Sequence, residues 1–86
     1  MVTKDVTIKN ETGLHARPAT ILAKKAAQFK SDVSIQNGDK VVNAKSLIGI
    51  LSLGASKGSI IKVITSGVDE ELALSEVVKL IEEIKE

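Results

Sequence analysis

The sequence predicts an α+β fold in the order βαββαβα, a four-stranded sheet with three helices layered on one side. Two observations predict it. Segments that alternate or are rich in Ile and Val, and segments with helical spacing or helix-end signals, interleave in the split βαβ pattern with one added C-terminal helix. Each helix-spaced apolar face must also be covered, and one sheet covering all of them is the economical arrangement.

The elements follow in chain order. Val2, Val6 and Ile8 lie on one side of an alternating segment from Val2 to Lys9, which reads as a strand with one buried face. From Ala16 to about Phe29, Ala19, Leu22, Ala23 and Ala26 repeat at helical spacing while Lys24, Lys25 and Gln28 face outward. Val33 and Ile35 alternate, Asn37-Gly38 is expected to supply the positive-φ pair of a tight hairpin, and Val41-Val42 form the return strand. Ser46 and Gly54 bracket a short helix over Leu47-Ile48-Gly49-Ile50-Leu51-Ser52-Leu53 as N-cap and C-terminal glycine. Ser59 to Ser66 reads as the fourth strand, ended by Gly67. Asp69 is expected to cap a last helix whose apolar face holds Ala73, Val77, Leu80, Ile81 and Ile84, with Glu70 and Glu71 at its positive end.

Composition narrows the function. With 86 residues the chain is expected to form one domain, 1–86, without a second lobe to enclose a deep substrate cleft. Apolar residues make up 43% of it and Phe29 is its only aromatic, so the core is aliphatic and base stacking on nucleic acid lacks its usual tools. Residues 1–45 hold eight Lys/Arg against four Asp/Glu and residues 46–86 hold four against seven, so the halves carry +4 and −3. A basic first half suits acidic protein surfaces or a small anion. There is no cysteine and a single histidine, which argues against thiolate chemistry and a metal centre. No apolar run reaches membrane-spanning length, and Met-Val-Thr-Lys-Asp is not expected to act as a signal peptide. A cytoplasmic monomer without a cofactor is the expectation.

The chemistry concentrates in Thr12-Gly13-Leu14-His15-Ala16-Arg17-Pro18-Ala19, between the first strand and the first helix. Pro18 suits the first helical turn, where a missing N–H costs nothing. His15 then falls at or beside the N-cap, where first-turn N–H groups and the helix dipole favour an anion. Arg17 adds a permanent cation whose planar fork matches phosphoryl oxygens. An imidazole titrates near neutrality, so it serves as a nucleophile without a separate base. Phosphoryl transfer spreads charge over three oxygens, which positioned N–H donors and an arginine can stabilise. The sequence offers no magnesium-binding carboxylate pair and no second substrate pocket. His15 is therefore expected to be charged by one protein and discharged to another. Gly49, Gly54 and Ala55-Ser56 come within one residue of a nucleotide P-loop, but Ala55 stands where its lysine belongs, and a nucleotide site is rejected.

Gly13-Leu14-His15-Ala16-Arg17-Pro18-Ala19 resembles the active-site signature of the HPr family of phosphocarriers. Lys45-Ser46-Leu47-Ile48-Gly49-Ile50-Leu51-Ser52-Leu53-Gly54 is similar to that family's second signature, at the expected separation. The resemblance implies an open-faced β-sandwich with an antiparallel sheet of order 1-4-2-3. It implies that His15 accepts a phosphoryl group from phosphorylated enzyme I and passes it to enzyme IIA domains, with Arg17 as electrostatic partner. Ser46 matches the regulatory serine of the Gram-positive type, which implies a kinase/phosphorylase and a catabolite-control transcription factor as further partners. Leu47, Ile48 and Leu51 suit either the core or an exposed patch by spacing alone, and the resemblance makes them partner contacts. Ile48 and Leu51 stand where the family often has methionine. Thr12, Ala16, Thr20 and Lys24, around and along the first helix, are expected to share in partner binding. Two alternatives remain open: a regulatory module acting only through phosphorylated Ser46, as in relatives lacking the active histidine, and a small nucleic-acid or metabolite-binding domain.

Overall fold

The computed structural model describes residues 1–84 of the chain. Its elements run β1 (Val2–Thr7), α1 (Ala16–Ala26), β2 (Asp32–Asn37), β3 (Lys40–Asn43), α2 (Leu47–Ser52), β4 (Ile60–Ser66) and α3 (Glu70–Glu83). The sheet order is β1-β4-β2-β3, with every neighbouring pair antiparallel. Fold class and strand order are those expected.

Register explains the two faces. Val6 lies opposite Ile61, Ile35 opposite Val63, and Val33 opposite Thr65, so these buried side chains share the face beneath the helices. Asp5, Lys62 and Gln36 form the next row and point to the uncovered face. Leu22 and Ala26 of α1, Ile50 of α2, and Ala73, Val77 and Ile81 of α3 complete an aliphatic core. Burying each large aliphatic side chain contributes about 1.5–3 kcal/mol, enough in sum to hold a core without aromatic rings.

The structure corrects the expected elements at five places. β1 ends at Thr7, not Lys9, because Ile8 pairs instead with the loop before β4, donating to Ser59 O and accepting from Gly58 N–H, both at 2.8 Å. α1 ends at Ala26: Gln28 and Phe29 donate to the carbonyls of Lys25 and Ala26, and these tighter bonds turn the ring of Phe29 into the core. The hairpin loop is Gly38-Asp39, since Asn37 still pairs with Lys40. Within the hairpin only Gly38 has positive φ, 62°, which fits a turn needing glycine at its first position alone. Ile84 follows α3 in extended conformation, half-buried, and is not part of the helix.

The fifth correction concerns Asp69. It occupies the N-cap of α3, yet its side chain makes no cap bond. Instead its carboxylate accepts from the N–H of Lys30 at 3.0 Å, the N–H of Ser31 at 2.9 Å, and the hydroxyl of Ser31. Gly67 makes this approach possible, because a Cβ there would meet Ser31 Cα at 2.6 Å. The Ser31 hydroxyl, followed by the Lys30 N–H, holds the Asp69 carboxyl down at about 2. Glu70 does the local work, accepting from Gly67 N–H at 3.1 Å, and that bond lowers its pKa.

Candidate functional site

Chain geometry between β1 and α1 sets the site. Gly13 adopts φ 66°, and Leu14 turns inward to become a core residue, 3% exposed. His15 follows as the N-cap of α1, with φ −96° and ψ −164°, and its ring makes no capping bond. The helix begins with Ala19 N–H donating to His15 O at 2.8 Å. Pro18 sits in the first turn, buried, where no intrahelical donor is required. His15 is thus exposed at the positive end of an eleven-residue helix.

Arg17, Thr12 and Ala16 are exposed around it. Thr20 is half-buried and its hydroxyl donates to Ala16 O at 2.7 Å, which ties the second turn to the first. Lys24 is exposed in the last turn of α1. Helical spacing aligns Arg17, Ile21 and Lys24 along one side of α1. Ile21 is an exposed apolar residue that the sequence reading passed over. Its signal was its position between Thr20 and Leu22, off the buried stripe.

The second expected site lies on α2, which packs against α1. Ser46 is its N-cap, and Ser46 Oγ accepts from Gly49 N–H at 3.1 Å. Ile50 is buried, whereas Leu47, Leu51 and above all Ile48, 79% exposed, face solvent. Exposure therefore favours the patch over the core for these three side chains. Lys45, beside Ser46, is turned away, donating from Nζ to Phe29 O at 2.9 Å. After Leu53 the chain turns at Gly54, φ 68°, and Ala55 reaches the His15 loop, accepting from Leu14 N–H at 3.0 Å. Helix α2 thus runs from Ser46 at one end to the support of His15 at the other.

Two features of that support were missed from sequence: the contact of Gly13 with Ala55, and Asn10, a buried residue whose Nδ2 donates to Gly13 O at 2.7 Å. Among the described residues no three His, Cys, Asp or Glu side chains cluster as a metal site, and no helix is long and apolar enough to cross a membrane.

Fold and site together define a class: a small open-faced α+β protein that presents one imidazole to solvent at a helix N-terminus. Known proteins specify it further. The family described as PTS HPr component phosphorylation site matches residues 2–83. The phosphocarrier protein HPr of Borreliella burgdorferi is 42% identical over the whole of both chains. The HPr-like protein Crh of Halalkalibacterium halodurans is 44% identical over 95% of this chain and 98% of its own. The crystal structure of HPr-C-His from Thermoanaerobacter tengcongensis superposes with a TM-score of 0.92 at 46% identity, covering 95% of this chain and 92% of that one. The chain belongs to the HPr family of the phosphotransferase system, whose phosphocarriers are carriers and not enzymes.

Proposed function

We propose that this protein accepts a phosphoryl group on His15 from phosphorylated enzyme I and passes it to enzyme IIA domains. The observation that carries the reading is the exposed His15 imidazole at the N-cap of α1, free of any side-chain capping bond. In the transfer, a ring nitrogen of the neutral imidazole attacks phosphorus with its lone pair. The new N–P bond forms as the bond between phosphorus and its donor atom on enzyme I breaks, and that electron pair stays with the donor. The first turn of α1 and Arg17 stabilise the charge on the three equatorial oxygens. Leu47, Ile48 and Leu51, with Thr12, Ala16, Thr20 and Lys24 nearby, form the surface that docks both partners. The chain acts as a single domain, 1–86, a cytoplasmic monomer.

A second reading draws on the likeness to HPr-like protein Crh and on Ser46 at the cap of α2. In it, a kinase/phosphorylase modifies Ser46 and the product binds a catabolite-control transcription factor. The two readings separate in one experiment. The protein is incubated with enzyme I, magnesium and phosphoenolpyruvate, and the product is treated with acid and base. An acid-labile, base-stable phosphate that disappears in His15→Ala supports the carrier; no incorporation leaves the regulatory module.

A further inference from the structure

We infer that Asn10 is a positioning residue for phosphoryl transfer at His15, an inference that rests on the carrier reading above. Asn10 follows β1 and is 5% exposed. A buried carboxamide is unfavourable unless its donors and acceptor are paired. That of Asn10 is paired on one side only: Nδ2 donates to Gly13 O at 2.7 Å in a buried bond, while Oδ1 is buried with no hydrogen-bond partner among the described residues. Packing alone would favour leucine, whose γ-branched side chain has nearly the same shape and brings no unpaired acceptor of its own. What asparagine adds is the donor to Gly13.

That donor acts on a specific peptide group. Gly13 C=O and Leu14 N–H belong to one planar unit. Its carbonyl is held by Asn10 Nδ2, and its N–H donates to Ala55 O at 3.0 Å. A unit anchored at both ends cannot rotate. Gly13 N–H also donates to Asn10 O at 3.2 Å, closing the turn on the same residue. The next peptide group joins Leu14 to His15, so the direction in which the chain enters α1, and with it the imidazole, is set by this frame. Without the clamp, glycine at φ 66° leaves the Gly13–Leu14 peptide its full torsional freedom on one side. In-line transfer between two proteins needs the attacking nitrogen held in near-attack geometry, and a displacement of about 1 Å costs up to a hundredfold in rate.

Asn10→Leu and Asn10→Asp test this in the full chain. Each is assayed as the substrate of phosphorylated enzyme I, with kcat and KM separated and thermal unfolding followed in parallel. Asn10→Leu removes both the donor and the stranded acceptor. It exchanges the unpaired Asn10 Oδ1 for an unpaired Gly13 O, so it is expected to unfold near the parent temperature, to keep its KM, and to lose roughly tenfold in kcat. Asn10→Asp keeps the shape but turns an acceptor toward the Gly13 carbonyl, and is expected to lose at least as much kcat. A purely structural role would lower stability and leave kcat alone. Turnover within twofold of the parent in both variants, or a loss expressed only in KM, would overturn the assignment while leaving the carrier reading intact. A parent protein that takes up no phosphoryl group overturns both.

Discussion

Gly13 and Ala55 are in direct backbone contact: a Cβ on Gly13 would stand 2.5 Å from the Ala55 carbonyl oxygen and 2.7 Å from Ser56 Cα. The contact joins the loop carrying His15 to the segment that leaves α2, and glycine is needed twice over, for space and for φ 66°. Gly13→Ala is therefore expected to destabilise the protein by roughly 2–4 kcal/mol and to slow phosphoryl acceptance. Gly38→Ala is the control. Its φ is 62°, yet nothing lies within 4 Å of the added Cβ, so only the backbone cost of about 1 kcal/mol applies. Urea denaturation of both variants checks the difference, and equal losses would mean that the Ala55 contact contributes nothing.

Arg17→Ala is expected to leave a protein that is phosphorylated more slowly. The first turn of α1 still faces the phosphoryl group, while one charge-assisted partner is lost, worth about 1.5–3 kcal/mol. Single-turnover transfer from phosphorylated enzyme I measures this directly. A rate equal to the parent's removes Arg17 from the chemistry.

Ile48 and Ile50 occupy one short helix with opposite exposures, 79% and 0%. Ile50→Ala is expected to cost about 2–5 kcal/mol of stability through the cavity it opens. Ile48→Ala should stay within about 0.5 kcal/mol of the parent and instead weaken association with enzyme I. Thermal melts and titration calorimetry separate the two effects; unchanged affinity in Ile48→Ala would take that residue out of the docking surface.

The Asp69 carboxyl is held at about 2 in the folded protein against an ordinary 3.8, so the unfolded chain binds its proton first as the pH falls. Its contribution to stability is complete above pH 4 and is lost between about pH 4 and pH 2. In Asp69→Asn that contribution is missing throughout. The gap in melting temperature between parent and variant is therefore expected to be widest above pH 4 and to shrink on acidification. A gap independent of pH from 5 to 2 would show that Asp69 is not ionised in its bonds to Lys30 and Ser31.

How far the sequence could be read depended on how local each determinant was. Local signals located every element: Val33 and Ile35 alternate on a strand, Ala19, Leu22 and Ala26 recur on a helix, and Asn37-Gly38, Ser46 and Gly54 mark the hairpin and the short second helix, whatever lies opposite them. His15 at the N-cap was legible for the same reason, since Pro18 fixes the helix start within a few residues. The misread details are tertiary. Asp69 looks like a cap until Ser31, far away in sequence, offers its hydroxyl and N–H. Asn10 carries no signal in the sequence, because its value depends on the Gly13–Leu14 peptide being pinned from the other side by Ala55. The hairpin slipped by one position because Asn37-Gly38 and Gly38-Asp39 are both acceptable turn pairs, and strand pairing at Asn37 decides between them.

Ser46 and His15 are expected to be coupled through partner docking. Ser46 caps α2 at the end away from Ala55, and Leu47, Ile48 and Leu51 lie exposed between that cap and the loop of His15. A partner resting on this patch must cover or closely approach Ser46. Phosphorylation there adds about −1.5 to −2 charge, which must shed water on docking and repels an acidic partner surface. Ser46→Asp reproduces the sign of the charge, and aspartate is as good an N-cap as serine, so the fold should hold. One added charge is worth about 1 kcal/mol at close range in water, so affinity for enzyme I is expected to fall on the order of fivefold at low salt. Added salt should restore part of it by screening. The rate of the chemical step at saturating enzyme I should match the parent's. Ser46→Ala is the complementary control, expected to lose about 1 kcal/mol of stability with its Gly49 bond but no affinity. If Ser46→Asp binds enzyme I as tightly as the parent at low salt, the two sites are not coupled through this surface.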